Sequence, residues 1–225
     1  RAIFFVATAY VTERRLFWWD RIAYLLKRSA RARIEVDYPA PLVVELKADR
    51  APAISAVRRL VRDQPGLDIE RFLVELGRAA EVAFDAATER RLADELLMTW
   101  DEVRALRAAG MDVESHTRTH RVLQTLSPAE IKDELSGSRA DLERELGGKV
   151  RALSYPVGKA IANVPAIREA VREAGYQIGF SNASGVNPRW RSSRFDRFDV
   201  RRLSMELGLP HPFFRGMLAI PFLSA

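Results

Sequence analysis

From Thr99 onward the chain alternates between helical apolar spacing and short apolar or β-branched runs, and this alternation constrains its fold more than any other feature. Thr99-Trp100-Asp101-Glu102 has the form of a capping box, with Thr99 or Asp101 as the cap and Val103, Leu106 and Ala109 on the inner face; Gly110 then stops the helix. Residues 111–115 read as a strand. Ser127-Pro128-Ala129-Glu130 opens a helix running to Leu146 and stopped by Gly147-Gly148. Residues 150–155 read as a strand, Pro156-Val157-Gly158 as a turn, 164–174 as a helix, 176–181 as a strand and 200–205 as a last strand. This order implies a mostly parallel α/β sheet or barrel, in which functional residues collect at the carboxyl ends of strands.

Ahead of this lies a different pattern. Residues 2–8 form a β-rich apolar run that reads as a strand buried on both faces, as in a covered parallel sheet. A central strand rarely starts at the first residue, so the expectation is that the chain is truncated at its amino end. Phe17-Trp18-Trp19-Asp20 leads into a helix over 21–29 with Ile22, Leu25 and Leu26 on one stripe. Residues 34–36 and 42–46, separated by Pro39 and Pro41, suit a small hairpin. From Pro52 to about Arg107 the period is helical, with a break at Pro65-Gly66.

With 225 residues, 48% of them hydrophobic, the chain is long enough for one large domain or two small ones and can supply a proper core. No uninterrupted apolar run of about 18 residues offers a transmembrane helix, and the apolar tail at 217–223 is cut by Pro221. The absence of cysteine excludes disulfides, thiolate metal sites and cysteine nucleophiles. The net charge of +6 comes mainly from arginine, densest at Arg189, Arg191, Arg194, Arg197, Arg201 and Arg202, which suits anionic partners. Those arginines are interleaved with acids and no basic-aromatic recognition module occurs, so nucleic acid is not an expected partner. The compartment stays open between cytoplasm and periplasm or cell envelope.

Two of the chain's three histidines, His116 and His120, stand four residues apart at the end of the strand over 111–115. In a helical or turn-like backbone that spacing projects both imidazoles to one side, and neutral imidazole is the commonest protein ligand for zinc. Two surface histidines that fell close together are the alternative. The turn at Pro156 to Gly158 also follows a strand, which puts it on the same rim. No Gly-x-Ser-x-Gly elbow supports a serine nucleophile.

Taken in order, Phe4-Phe5-Val6, Thr99-Trp100-Asp101-Glu102-Val103, Ser115-His116-Thr117-Arg118-Thr119-His120 and Ser154-Tyr155-Pro156-Val157-Gly158 resemble the polysaccharide deacetylases with a NodB-type domain, of the carbohydrate esterase family 4 kind. The resemblance covers 1–8 and 99 to about 205, and makes 13–98 a largely helical insertion in a single, partial catalytic domain over 1–225. It implies a distorted (β/α) barrel of seven or eight strands, here missing its first strand. It also implies a divalent metal, most often zinc with cobalt or nickel as substitutes, held by two histidines and an aspartate; His116 and His120 match the histidines. Such a metal polarises the acetamide carbonyl and lowers the pKa of a bound water to about 7. The backbone N–H of Val157 matches a donor to the oxyanion, Gly158 lets the turn take its shape, and Tyr155 and Pro156 line the site. Arg202 stands where relatives carry an arginine that pairs with the catalytic carboxylate. Trp18, Trp19 and Trp190 are candidates to stack on sugar rings, and Thr117 to order the histidine loop.

The family's Thr-Phe-Asp-Asp signature, which supplies the base and the third ligand, is not in the sequence, and Asp112, Glu114, Asp196 and Asp199 read as ordinary carboxylates in its place. His211 is the one candidate for the general acid and reads as a surface residue. The implied activity is removal of N-acetyl groups from amino sugars of a glycan, with a non-catalytic carbohydrate-binding relative of the same fold as the alternative.

Overall fold

The computed structural model of the chain describes residues 1–188, 192–203 and 208–219. They divide into two compact units, one of 1–8, 103–124 and 128 onward, the other of 9–102 with 125–127.

The first unit is built on a parallel sheet. Strands β1 (Ile3–Val6) and, further along the chain, β4 (Asp112–Ser115), β5 (Ala152–Ser154) and β6 (Ile178–Phe180) lie in the order β1-β4-β5-β6. β1 runs parallel to β4 with Phe4 opposite Val113 and Val6 opposite Ser115, and β5 runs parallel to β6 with Leu153 opposite Gly179. Residues 200–205 were expected as a strand; Val200 forms a single parallel bridge to Phe180, and 204–207 lie outside the described residues. Four of the barrel strands implied by the sequence are therefore formed among the described residues. The strand at 2–8 is not buried on both faces: Ile3 is 46% and Phe4 39% exposed, because among the described residues β1 pairs only with β4 and forms an edge of the sheet.

The capping box forms as the sequence predicts. The Thr99 N–H donates to Glu102 Oε2 at 2.7 Å while the Glu102 N–H donates back to Thr99 Oγ1 at 3.3 Å, opening the helix Trp100–Ala108. The helix expected from the Ser127 cap is not uniform. It is α-helical over Pro128–Lys132, widens into a π-helical turn over Asp133–Gly137 and is α-helical again over Ser138–Leu146. Gly147 ends it in the left-handed region. The helix Pro165–Glu173 buries Ile167 and Val171, and with Leu135, Leu142, Val150 and Leu153 they form the core of this unit.

The second unit is helical with one hairpin. Trp18–Arg28, Ala51–Asp63 and Ile69–Ala79 bury the stripes Ile22/Leu25/Leu26, Ile54/Val57/Val61 and Phe72/Leu73/Leu76. Each large apolar side chain fully removed from water contributes roughly 1.5–3 kcal/mol. Strands β2 (Arg33–Val36) and β3 (Leu42–Glu45) pair antiparallel, Ile34 opposite Val44, which realises the expected hairpin. Trp18 is 7% exposed and belongs to this core, so it is no sugar platform; Trp19 stacks on Phe17 with ring centroids 4.4 Å apart.

Candidate metal centre

β4 ends at Ser115, and the chain then turns sharply. Thr117 (φ 64°) and His120 (φ 55°) both lie in the left-handed region without being glycine. Such conformations cost about 1–3 kcal/mol each and persist only where the surroundings over-determine them. Three backbone links do so here: the His116 N–H donates to Val6 O (2.9 Å), the Thr8 N–H to Thr117 O (3.1 Å) and the Thr117 N–H to Ser115 Oγ (3.1 Å). Thr117 is fully buried, and its hydroxyl accepts from the His120 N–H at 3.2 Å, the loop-ordering role its position suggested.

The turn brings the two imidazoles together, edge to face, with ring centroids 4.6 Å apart. His116 Nδ1 stands 2.7 Å from Ser154 O at the end of β5. A carbonyl only accepts, so Nδ1 carries the proton and the Nε2 lone pair is left for a ligand. Phe5 of β1 stands beside the His116 ring and against Phe180, walling the site with apolar surface. Burial lowers the pKa of both histidines, that of His120 to about 3, with the neighbouring imidazole adding to the effect; for His116 the field of the Arg202 guanidinium adds to burial. Both rings are therefore neutral at physiological pH, the state in which imidazole binds a metal. The pair fits a divalent cation as two of its ligands. No group of three or more His, Asp or Glu able to hold a metal occurs among the described residues.

The other rim element follows β5. In the 3₁₀ turn Pro156–Gly158, Val157 has φ 59°, a strained position for a β-branched residue, and Gly158 has φ 70°. Asn182, just beyond β6, holds this turn: its N–H donates to Gly158 O at 2.8 Å and its side chain packs where a Cβ on residue 158 would stand. Arg202 is tied to the same residue, through Nη2 to Asn182 Oδ1 at 2.5 Å, and through Nε to Ser181 O at 2.9 Å. It makes no ion pair with a carboxylate among the described residues. Tyr155 is 2% exposed and its hydroxyl donates to Phe198 O at 2.7 Å, across a Gly179 that has no Cβ to obstruct it. Burial pushes its pKa well above the usual tyrosine range, so the hydroxyl stays protonated and keeps its bond to Phe198 O. Pro156 is buried beside it.

The four weighed carboxylates have other tasks. Asp112 pairs with Arg1, and Glu114 accepts the Arg151 and Ala152 N–H groups at 2.8 and 2.7 Å. Asp196 pairs with Arg168, and Asp199 Oδ2 receives the Ile161 and Ala162 N–H groups. His211 begins the helix His211–Ala219 and is exposed, as expected. Trp190 lies outside the described residues.

Sequence reasoning missed Glu134. It is 5% exposed on the π-helical turn and accepts from the histidine loop. Its signal was a glutamate between Ile131, Leu135 and Ser138 on the buried stripe of a helix. Asn182 carried no signal at all.

Residues 76–179 match the family described as polysaccharide deacetylase, a span that holds both histidines and the Tyr155 to Gly158 turn. The curated protein YxkH of Bacillus subtilis (strain 168), which bears a polysaccharide deacetylase name, is 27% identical over 92 residues, 41% of this chain and 32% of the relative. Among solved structures, Streptococcus pyogenes deacetylase PplD in complex with acetate is 19% identical over 53% of this chain and 50% of that one, with a TM-score of 0.47. The polysaccharide deacetylase BC0361 of Bacillus cereus is 16% identical over 72% and 59%, with a TM-score of 0.46. The chain thus spans about a third of the curated relative and half of PplD. Both histidines and the Tyr155 to Gly158 turn fall inside the matched span, and that match together with the curated relative supports a NodB-type polysaccharide deacetylase domain over residues 76–179.

Proposed function

We propose that the chain supplies the two-histidine part of a divalent-metal site that removes N-acetyl groups from the amino sugars of a polysaccharide or glycan. The observation that carries this reading is the convergence of His116 and His120, neutral and edge to face at 4.6 Å, with His116 fixed in one tautomer by Ser154 O. Zinc, or cobalt or nickel in its place, supplies Lewis acidity and lowers the pKa of bound water to about 7.

The chain's own residues do the rest by position. His116 and His120 offer lone pairs from a backbone that the loop holds rigid. The Val157 N–H serves as donor to the oxyanion that develops on the acetamide, a contribution whose loss typically costs about 10²–10³ in rate. Pro156, Gly158 and Asn182 fix that turn, and Tyr155 secures it to Phe198. Arg202, whose field reaches His116, stands ready to pair with a carboxylate. A third ligand and a general base of carboxylate type would complete such a site, and Trp190 is proposed to contact the sugar.

The test is metal-dependent acetate release from N-acetylglucosamine oligomers by the full-length protein, beside His116→Ala and His120→Ala. Release that requires both the metal and the histidines is expected. Oligomer binding without release in any metal would favour the second reading, a non-catalytic carbohydrate-binding relative.

A further inference from the structure

The loop that carries both histidines is gripped from one side by a single buried carboxylate. Glu134 Oε2 accepts the N–H of Arg118 at 2.8 Å and that of Thr119 at 2.9 Å, and its Oε1 accepts the Thr119 hydroxyl. These are residues between His116 and His120, where the backbone passes through left-handed conformations at Thr117 and His120. Two consecutive N–H groups converging on Oε2 need one acceptor oxygen with two lone pairs, while the flanking Thr119 hydroxyl, both donor and acceptor, can meet either an oxygen or an amide nitrogen.

The helix is shaped to deliver that group. Glu134 lies in the π-helical turn Asp133–Gly137, a local widening of the kind often found at functional sites. Gly137 leaves room for Arg118, since a Cβ there would stand 2.5 Å from Arg118 Cδ. The Arg118 guanidinium is engaged by Asp133 and Asp141, so Glu134 is left to the loop backbone. Below it, Ser138 on the next turn bonds Ser115 Oγ at 2.9 Å, tying the end of β4 to the same helix.

We propose that Glu134 is a positioning residue for the histidine pair: its carboxylate sets the backbone between His116 and His120 and thereby aims both imidazoles at one shared divalent cation. This rests on the reading of the pair as a metal site. Outer-sphere groups that orient histidine ligands typically change metal affinity by about 10–100-fold when removed.

Two measurements on the full-length protein separate the parts. In the metal-free protein, hydrogen exchange at the Arg118 and Thr119 amides reports the grip of Glu134 alone. Slow exchange in the wild type, accelerated at least about 100-fold in Glu134→Ala and much less in Glu134→Gln, is expected. A cobalt titration followed by its d–d absorption then reports the aim. Binding at least about tenfold weaker in Glu134→Ala, with a changed band shape and recovery in Glu134→Gln, supports the proposal; a merely structural role would lower stability without altering the spectrum. Should Glu134→Ala fail to fold, Glu134→Asp, one methylene short of the loop, takes its place with the same expectation. Wild-type exchange, or wild-type cobalt affinity and spectrum, in the folded variant overturns the proposal. A wild type that binds cobalt no better than His116→Ala/His120→Ala instead overturns the metal reading and the aiming role together, and exchange still shows whether the grip exists.

Discussion

Replacing Gly158 by alanine separates what the turn needs from its backbone angle and what it needs from space. The first requirement is conformational: at φ 70° an L-residue is disfavoured by about 1–2 kcal/mol. The second is steric. The new Cβ would stand 2.2 Å from Asn182 Cγ and 2.4 Å from Asn182 Cβ, too close for a rotamer change to relieve, so the residue itself must shift. That shift breaks the bond from the Asn182 N–H to Gly158 O and the one from Arg202 to Asn182 Oδ1, each contributing about 0.5–1.5 kcal/mol. The expected loss for Gly158→Ala is therefore about 2–4 kcal/mol, taking the low end for the exposed bond. Gly147→Ala is the control, because Gly147 has φ 66° with nothing within 4 Å of a Cβ, and it should lose only the conformational part, about 1–2 kcal/mol. Urea unfolding of both variants at unchanged m-value reads the difference. Acetate release, under the proposed function, should fall about 10²-fold or more in Gly158→Ala alone, since displacing the turn misaligns the Val157 N–H. Equal stability losses in the two variants would refute the steric argument, and full activity in Gly158→Ala would remove the turn from the chemistry.

Acid should weaken the fold through the histidine pair. Both pKa values are depressed in the folded state, His120 to about 3, so the folded rings stay neutral while the unfolded chain takes up protons below about 6.5; stability is complete above that pH and is lost as pH falls toward 3. For His120 the loss at pH 5 is about 1–2 kcal/mol after allowing for partial solvent screening, and chelator-treated His120→Gln should show a correspondingly flatter pH dependence in urea unfolding. Tyr155→Phe should cost about 1–2 kcal/mol by stranding the buried Phe198 carbonyl, yet keep acetate release within about tenfold of wild type; a loss of 10² or more would give the hydroxyl a part in the chemistry. Arg14, 8% exposed, reaches Asp94 and the carbonyls of Ala93, Leu97 and Met98 at the end of the helix Ala86–Leu96. Arg14→Leu should cost about 1.5–3 kcal/mol and release the amides of that helix to faster exchange, with Arg14→Lys recovering less than half because one ammonium cannot span the set.

What could be read in the sequence was whatever local chemistry decides. The Thr99/Glu102 capping box, the stop at Gly147 and the hairpin through Ile34 and Val44 need only residues a few positions apart, and each forms as expected. What could not be read depends on partners far along the chain. The Tyr155 hydroxyl meets a carbonyl 43 residues away and Gly158 meets the side chain of Asn182, so neither the anchoring role of the first nor the space demanded by the second has a local signature. The left-handed Val157 contradicts its intrinsic preference and is imposed by the packing around it.

The histidine pair shows how the two kinds of information combine. A spacing of four suits a helical face, where Cβ atoms at i and i+4 lie about 5–6 Å apart, or a turn that brings the two side chains to one side. Residues 116–120 are not helical: the rings meet edge to face because Thr117 and His120 are driven into left-handed backbone that neither residue prefers. Of the two backbones that would bring the imidazoles to one side, helical or turn-like, the structure forms the turn. Something outside the pentapeptide must hold that turn, and the groups that do so are Ser115, the strand β1 carbonyl of Val6 and, most directly, Glu134. A short motif thus identifies which side chains meet, while the energy that keeps them together resides in residues the motif does not contain.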